Sequence, residues 1–516
     1  MKMPKKIALG IAVITLLSGC AISINPTGSS SAKPSESGSS SLDSSTYDGP
    51  TKTFKLYCAN DFHGAVKPNG YEVGLDDYFT FLKEEKDKDP EHTLVFSAGD
   101  MWQGSLESNA SYGNYVTEAM NAVPFDAMAY GNHEFDYGAA RIADNRAKAD
   151  FPFLGANIMN YENGVTTNTI WSQASPSTVI VKDGVKIGVV GAIGEDLTNS
   201  ITSKNVQNLS FPHPETYCIK EAERLKAEGC DVMVLLLHED ADSIRGGGEY
   251  SAWKNAANLK DYFDVAFCAH SHKKNDYDLG GVPLLQGYCN GRAYSYVELE
   301  VKGKEVTYKR KSVDYASAVG KQAPALKELA DQYLGAEFQA KANAVAGTLN
   351  GELTYKTVSA FSTVAIYEKY VKQYPTLCCA MNNSQRASVS SGPVTYSELY
   401  KAMPFTNNIV IADVKGSELA NEARYNNTYT GDVATYGTLN PNQYYRIAVI
   451  DYLFYHQGSR RTYDYFPGLQ NGSTTVVAEY ETYPVDCAFE YAVNDLGGVI
   501  NAADYQNGAP GINLYA

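Results

Sequence analysis

From residue 51 onward, short apolar runs alternate with longer stretches in which apolar residues recur at helical spacing. The runs at 53–59 and 231–237 are short and strongly apolar, which predicts buried strands. Residues 75–85, 112–122 and 215–228 place apolar side chains every three or four positions, which predicts amphipathic helices. Because strands and helices alternate along the chain, we predict an α/β core built in layers.

Five of the predicted strands end in polar side chains that can bind a metal ion or move a proton. In α/β sheets, functional sites gather beyond the carboxyl ends of the strands. The five clusters are therefore expected to meet in space, although they are far apart in sequence. They comprise Asp61, His63, Asp100, Asn132, His133, Glu134, Asp136, His238, His270 and His272.

Five of the eight histidines in the chain fall at these strand ends. Neutral imidazole and carboxylate groups are the usual ligands of zinc and other transition metals. A single zinc ion is saturated by four ligands, whereas these clusters supply enough for two ions with one bridging carboxylate. Two metal ions about 3.5–4 Å apart stabilise both the attacking and the leaving oxygen in phosphoryl transfer. The pattern therefore predicts hydrolysis of a phosphate ester.

Composition limits the partners that this protein can have. The chain has 516 residues, of which 44% are hydrophobic and 20% charged, so it has room for two or three globular domains. Its formal charge of -16 argues against a nucleic-acid polymer as partner, because such binding depends on Lys and Arg contacts to phosphate. A small anionic substrate is compatible with this charge if bound metal supplies local positive charge.

The N-terminus has the features of a secretory signal. Three lysines precede an apolar run at 7–17, and small residues follow it. The sequence Leu17-Ser-Gly-Cys20 resembles a bacterial lipobox, in which Cys20 would be the lipid-modified first residue of the mature protein; the alternative is an ordinary signal with an incidental cysteine. Residues 21–50 are rich in Ser, Gly and Pro, which predicts a flexible tether. We expect an extracytoplasmic protein that is anchored to the cell membrane by lipid.

The body of the chain contains eight further cysteines. Most, such as Cys58, Cys230 and Cys268, lie in or beside apolar strand-like runs and are expected to be buried thiols. The others, including the adjacent pair Cys378 and Cys379, could include a disulfide. The spacing does not determine a pairing.

The order of the strand-end clusters resembles a known signature. Asp61-x-His63, Gly99-Asp100, Gly131-Asn-His-Glu134, His238 and Ala269-His-Ser-His272 look like the calcineurin-like metallophosphoesterase motifs, and residues 131–138 are similar to the 5′-nucleotidase branch. The resemblance covers roughly residues 51–315. It implies a four-layer α/β/β/α metallophosphoesterase core, followed by a second, α+β domain.

The resemblance also implies roles for individual residues. His133 would assist charge development on the phosphate or the leaving group, and Asp136 would orient it, which suits an imidazole held by a carboxylate. Glu134 has no chemical role in this scheme and is expected to support its loop from behind. Two divalent ions, zinc, manganese or similar, would be shared through Asp100. One would bind Asp61, His63, Asp100 and His272, and the other Asp100, Asn132, His238 and His270.

Behind the catalytic domain, residues 316–345 are expected to form a helical connector and residues 346–516 a domain similar to the 5′-nucleotidase C-terminal domain. In that resemblance Phe405 is the candidate for stacking on a nucleobase, and Tyr465 or Phe466 for the opposing aromatic. The alternative for the latter two is that they are core residues. A further candidate for substrate binding is Arg386, since guanidinium is a good bidentate donor to phosphate or carboxylate. This half is the weaker match, because the glycine-rich motif around Arg386 is shortened.

Together these observations predict a dinuclear-metal phosphohydrolase acting on extracellular nucleotides, with cyclic 2′,3′-phosphodiesters and nucleotide sugars as further substrates. Two alternatives stay open. The protein could be a surface binding or adhesion lipoprotein that retains the fold, or it could hydrolyse phosphoesters other than nucleotides.

Overall fold

The computed structural model describes residues 47–431, 439–458, 462–506, 509 and 511–513. The predicted signal peptide (1–20), with Cys20, and nearly all of the predicted tether (21–50) lie outside these residues. Within the described ranges, no helix has both the length and the apolar character needed to cross a bilayer.

Two six-stranded sheets stack face to face in the first half of the chain. The space between them is filled by apolar side chains from both sheets, such as Leu56 and Phe96 on one side and Val234 and Phe267 on the other. In order across the first sheet, the strands are Glu305–Tyr315, Ala293–Lys302, Lys52–Ala59, Thr93–Ser97, Ala127–Ala129 and Phe153–Leu154. Across the second sheet they are Lys274–Leu279, Val282–Gly287, Val265–Cys268, Val232–His238, Val185–Ile193 and Ser177–Lys182.

Helices cover the outer face of each sheet. Two further apolar clusters lie there, one around Phe79 and Met120 and one around Leu225 and Trp253. The predicted four-layer α/β/β/α core is therefore confirmed. The helices of this half are Gly74–Lys88, Leu106–Asn109, Asn114–Ala122, Gly138–Lys148, Pro214–Ala227 and Ala241–Arg245. Shorter 3₁₀ turns are His133–Phe135, Glu195–Ser200, Ser203–Val206 and Ala256–Asp261, and a small sheet is formed by Val165–Ile170, Met159–Glu162 and Leu209–Ser210.

One predicted helix begins later than its apolar pattern indicates. The pattern extends over 112–122, but the helix begins at Asn114. Tyr112 and Gly113 both have left-handed backbone conformations, with φ of 52° and 84°, so neither can belong to a right-handed helix.

The direction of the strands places the predicted site. Lys52–Ala59, Thr93–Ser97 and Ala127–Ala129 run parallel, so their carboxyl ends lie at one edge of the first sheet. Val232–His238 and Val265–Cys268 are also parallel neighbours in the second sheet. All five strand ends with polar clusters consequently open toward the same side of the core.

The connector predicted as one helical segment consists of two helices, Pro324–Tyr333 and Ala336–Ala342, separated at Leu334 and Gly335. A strand begins directly afterwards at Val345. The C-terminal half then builds a six-stranded sheet and a three-stranded sheet around a single apolar cluster. In order across the larger sheet, the strands are Thr475–Tyr480, Ile409–Lys415, Tyr444–Ile450, Leu377–Asn382, Asn427–Tyr429 and Ile512–Asn513. The smaller sheet has Gly392–Thr395, Val345–Asn350 and Val499–Asn501. The helices are Tyr355–Val371, Tyr396–Ala402, Gly416–Glu422, Asp451–Phe454, Gly468–Asn471 and Pro484–Asn494, with a 3₁₀ turn at Ala502–Tyr505.

The eight cysteines of the body are all described and all are free thiols. Cys58, Cys230 and Cys268 are buried, as expected from their apolar surroundings.

Candidate active site

The strand-end clusters converge into one compact group of metal-binding atoms. Asp61, His63 and His272 bring one ligand atom each within 4.8 Å of one another, and so do Asp100, His238 and His270. The side-chain oxygen of Asn132 lies 3.1 Å from His238 Nε2 and 3.0 Å from His270 Nδ1. The structure therefore brings together all seven residues predicted as metal ligands.

Many residues of this cluster have backbone conformations that residues other than glycine rarely adopt. Among the described residues, ten that are not glycine have a left-handed φ, and five of these are predicted ligands. Such conformations cost free energy and persist where the surrounding structure enforces them, often at functional sites. The five are Asp61, His63, Asp100, His270 and His272, with φ between 47° and 72°.

Two backbone carbonyls fix the orientation of the buried histidines. His63 Nδ1 lies 2.9 Å from the carbonyl oxygen of Gln103, and His238 Nδ1 lies 2.8 Å from that of Ala98. Each ring donates its Nδ1–H to that carbonyl, which leaves Nε2 directed at the cluster as the atom that a metal ion would bind. Histidines that bind metals are usually oriented in this way.

The cluster also contains closely spaced ligand atoms that one cation could bind together. The Nε2 atoms of His63 and His272 lie only 2.9 Å apart, and His272 Nε2 lies 3.6 Å from Asp61 Oδ1. The buried amide nitrogen of Asn132 has no hydrogen-bond partner in the described part of the chain, so the side chain is oriented by its oxygen. Converging lone pairs of imidazole, carboxylate and amide oxygen form the donor set that a divalent transition metal prefers. The residues therefore fit a metal centre.

The predicted supporting role of Glu134 is confirmed. Its fully buried carboxylate accepts hydrogen bonds from the backbone N–H groups of Asp100, Met101 and Gly131, at 2.7–2.8 Å. It thereby ties together two of the strand-end loops. Gly131 is required at this junction, because an added Cβ would lie 2.2 Å from Asp100 Oδ1.

His133 and Asp136 form the predicted pair beside the cluster. His133 Nδ1 lies 2.7 Å from Asp136 Oδ2, and the backbone N–H of His133 donates to Asp100 Oδ1 at 2.8 Å. Burial lowers the pKa of His133, but the Asp136 and Asp100 carboxylates outweigh it and raise that pKa to about 9. An imidazole held in this way can donate a proton or a hydrogen bond to an anionic group.

Electrostatics within the cluster favour cation binding. Burial raises the pKa of Asp61 to about 7, and burial lowers the pKa of His270 and His272 to about 4. His270 and His272 therefore stay neutral, as metal ligands must be. Burial lowers the pKa of His238, but the Asp100 carboxylate outweighs it and raises that pKa to about 10, so a metal ion bound there would displace a proton from this ring.

A cavity of about 500 Å³ joins this cluster to the C-terminal half. On one side it is lined by Asp100, Asn132, His133, Asp136, His270 and His272. On the other side Arg386 and Phe405 line it, with the guanidinium carbon of Arg386 5.1 Å from the centre of the Phe405 ring. Tyr452 also lines this side.

The expectation for the second aromatic residue is wrong for Phe466 and is not supported for Tyr465. Phe466 is 1% exposed and packs against Phe454 in the core. Tyr465 stacks on the His456 ring at 4.2 Å and does not line the cavity. Tyr452 was missed, although its position offered a signal: it follows the strand Tyr444–Ile450 closely, as the metal-binding clusters follow theirs.

Comparison with protein families agrees with this arrangement. Residues 54–274 match the calcineurin-like phosphoesterase family, and residues 340–424 match the 5′-nucleotidase C-terminal domain. Residues 54–274 therefore form a calcineurin-like phosphoesterase domain, of a family of metal-dependent phosphoester hydrolases, and a 5′-nucleotidase C-terminal domain follows it.

This chain covers different shares of the length of its relatives. Endonuclease YhcR of Bacillus subtilis (strain 168) is 24% identical over 395 residues, which are 71% of this chain and 32% of the endonuclease. Protein UshA of Yersinia enterocolitica is 25% identical over 421 residues, 70% of this chain and 74% of UshA. The chain thus spans about a third of the first relative and about three quarters of the second. The crystal structure of a 5′-nucleotidase precursor from Thermus thermophilus has the same fold, with a TM-score of 0.65 at 19% identity, over 87% of this chain and 99% of that one.

Proposed function

We propose that this protein is a dinuclear-metal phosphohydrolase that removes phosphate from nucleotides. One observation carries the proposal: a single cavity is lined both by the candidate metal ligands and by Arg386 and Phe405. A phosphate can therefore lie at the cluster while the organic part of the same molecule lies against the C-terminal half.

Two divalent ions, zinc, manganese or similar, fit the donor set. When bound, these ions would lower the pKa of a water molecule and stabilise negative charge on the phosphate. Asp100 is proposed to be shared, which agrees with the hydrogen bonds and ion pairs that surround it. One ion is proposed to bind Asp61, His63, Asp100 and His272, and the other Asp100, Asn132, His238 and His270.

The remaining residues of the cavity would act on the substrate directly. His133 would donate a hydrogen bond or a proton to the phosphate or the leaving oxygen, while Asp136 holds its ring. Arg386 would bind a phosphate oxygen, and Phe405 and Tyr452 would pack against the base. Stacking of this kind tolerates different bases. We propose cyclic 2′,3′-phosphodiesters and nucleotide sugars as further substrates, because each carries a base for the same stacking contact together with a phosphate linkage that can be hydrolysed.

The location of the reaction follows from the N-terminal sequence. A signal ending in Leu17-Ser-Gly-Cys20 and a Ser-rich tether at 21–50 support an extracytoplasmic enzyme anchored to the membrane through a lipid on Cys20. Radiolabelled palmitate incorporation that persists in Cys20→Ser would contradict the anchor.

The test is hydrolysis by the metal-stripped protein, with and without added Mn²⁺ or Zn²⁺, measured by phosphate release for monoesters and by chromatography of the organic products for diesters and pyrophosphates. The panel contains nucleoside monophosphates, a nucleotide sugar, a cyclic nucleotide, glycerol 3-phosphate and a single-stranded oligonucleotide. We expect metal-dependent release that is fastest with nucleotides and absent with the oligonucleotide. No turnover of any phosphoester would favour the binding lipoprotein, and equal rates on glycerol 3-phosphate would favour a phosphoesterase without nucleotide preference.

A further inference from the structure

The segment that carries Phe405 is attached to the catalytic half by two buried amide side chains. Gln103 Nε2 and Asn109 Nδ2 each donate a hydrogen bond to the carbonyl oxygen of Pro404, both at 3.0 Å. Gln103 is fully buried and Asn109 is 5% exposed. Two donors therefore converge on one acceptor, in the residue directly before the candidate base-stacking ring.

Both donors are connected to the catalytic residues. The backbone carbonyl of Gln103 lies 2.9 Å from His63 Nδ1, so the residue that holds Pro404 also orients a candidate metal ligand. Asn109 Oδ1 accepts from the hydroxyl of Tyr137, the neighbour of Asp136, at 2.6 Å, and from the backbone N–H of Gly104 at 3.1 Å.

Asn109 is also fixed from the other side. Its Nδ2 donates a second hydrogen bond to the hydroxyl of Tyr400, at 2.8 Å, in the helix that leads to Pro404. The side chain thus uses both amide hydrogens on the C-terminal half and its oxygen on the catalytic half. A side chain with this arrangement cannot be replaced by a carboxylate, because the carboxylate has no hydrogen to donate.

We propose that Gln103 and Asn109 are positioning residues that form a clamp on Pro404. The clamp holds Phe405, the residue next to Pro404, facing the metal cluster, so that a nucleotide can contact both halves at once. It matters only for substrates with a base, and in this respect the inference rests on the proposed function. A phosphoester without a base makes no use of the Phe405 ring, which the clamp holds in place.

The test uses substitutions that keep shape and remove the donor. Gln103→Glu and Asn109→Asp each place a negative oxygen next to the Pro404 carbonyl, and Asn109→Asp keeps the acceptor for Tyr137 and Gly104. In the full-length enzyme loaded with Mn²⁺, we expect the KM for AMP to rise about tenfold for each variant. The kcat/KM for glycerol 3-phosphate should stay within about twofold of the parent enzyme.

A matched control comes from the surface of the same half. Asn121 donates from Nδ2 to the Lys148 carbonyl at 2.8 Å and accepts on Oδ1 from the Asp150 N–H, which is the same pattern away from the cavity. Asn121→Asp should leave both substrates unaffected. Equal losses on AMP and glycerol 3-phosphate in the clamp variants, or a loss of bound Mn²⁺, would assign the two residues to the metal centre and overturn the clamp.

A second measurement does not depend on turnover. Hydrogen exchange of the peptide spanning residues 396–408 should be about tenfold faster in both clamp variants and unchanged in Asn121→Asp. If no nucleotide is hydrolysed, the proposed function fails, whereas this exchange result still decides whether the clamp exists. Unchanged exchange in both clamp variants would refute it.

Discussion

The two walls of the cavity are built in different ways. On the catalytic side, the candidate ligands are mostly buried, several have left-handed backbone, and buried hydrogen bonds from Glu134 and backbone carbonyls hold them. On the C-terminal side, Phe405 and Tyr452 are half-buried and Arg386 is exposed, with a cation–π contact between Arg386 and Phe405. Rigid placement suits reaction chemistry, which depends on exact distances. Adaptable aromatic rings suit recognition of the organic part of a substrate, and an exposed guanidinium suits a phosphate oxygen.

This difference predicts that substitutions on the catalytic side abolish turnover of every phosphoester. The largest effect is expected for Asp100→Asn, because Asp100 is proposed to bind both ions. Its carboxylate clusters with His63 and His133 and also with His238 and His270, and it accepts from the His133 N–H. Turnover should fall below detection on nucleotides and on glycerol 3-phosphate. Bound metal, measured by atomic emission, should fall below that of the parent. Full activity with full metal content would show that the cluster is not the reaction centre.

His133→Ala should separate chemistry from metal binding. The imidazole contacts Asp136 but is not among the proposed ligands, so both ions should stay bound. Loss of a positioned proton donor lowers kcat by about 10²–10⁴-fold. We would measure kcat for AMP and glycerol 3-phosphate at saturating Mn²⁺, with Asp136→Asn as the companion variant. A change in KM alone would place His133 in substrate binding.

Glu134→Gln tests the support behind the ligands. The carboxylate accepts hydrogen bonds from three backbone N–H groups. An amide can accept on its oxygen only, so the NH₂ group of the glutamine would point at a backbone N–H, and neither group could accept. Metal affinity should fall about 10–100-fold, as it does when groups that orient ligands are removed. Titration of the stripped protein with Mn²⁺, followed by activity, gives the affinity; an unchanged midpoint would mean that the loop holds its shape without this carboxylate.

The contrast between the walls also explains which parts of the site could be predicted from sequence. The catalytic ligands follow directly after apolar strands, so local sequence determines both their chemistry and their place at the sheet edge. Glu134 could be given its supporting role because the other residues of its loop accounted for the chemistry. The helix at 112–122 was extended too far, since the apolar pattern does not report the left-handed backbone at Tyr112.

Aromatic residues of the C-terminal wall were harder to predict for a physical reason. Phe466 and Tyr452 have similar local sequence, both within Tyr-rich segments, and only tertiary packing decides that Phe466 enters the core while Tyr452 lines the cavity. Phe405 lines the cavity as the resemblance implied, and so does Arg386 despite its shortened motif.

Phe405→Ala should affect only substrates that carry a base. Loss of one stacking ring costs about 1–3 kcal/mol of binding, so the KM for AMP should rise about tenfold. The kcat/KM for glycerol 3-phosphate should stay the same. The comparison of the two substrates is the measurement, and Phe405→Tyr, which keeps a ring, serves as the control. Equal effects on both substrates would mean that this wall contributes to the chemistry after all.

The smallest effect on catalysis is expected for Phe466→Leu, and it sharpens the distinction between the cavity wall and the core. Phe466 is buried against Phe454, so the substitution leaves a partly filled space and lowers the free energy of unfolding by about 1–2 kcal/mol. Thermal unfolding should therefore show a lower Tm, while the KM for AMP stays within about twofold of the parent. Tyr452→Leu should show the reverse, a raised KM with little change in Tm, because that ring is half-buried at the cavity. A raised KM for Phe466→Leu at unchanged Tm would mean that Phe466 contacts the substrate and is not a core residue.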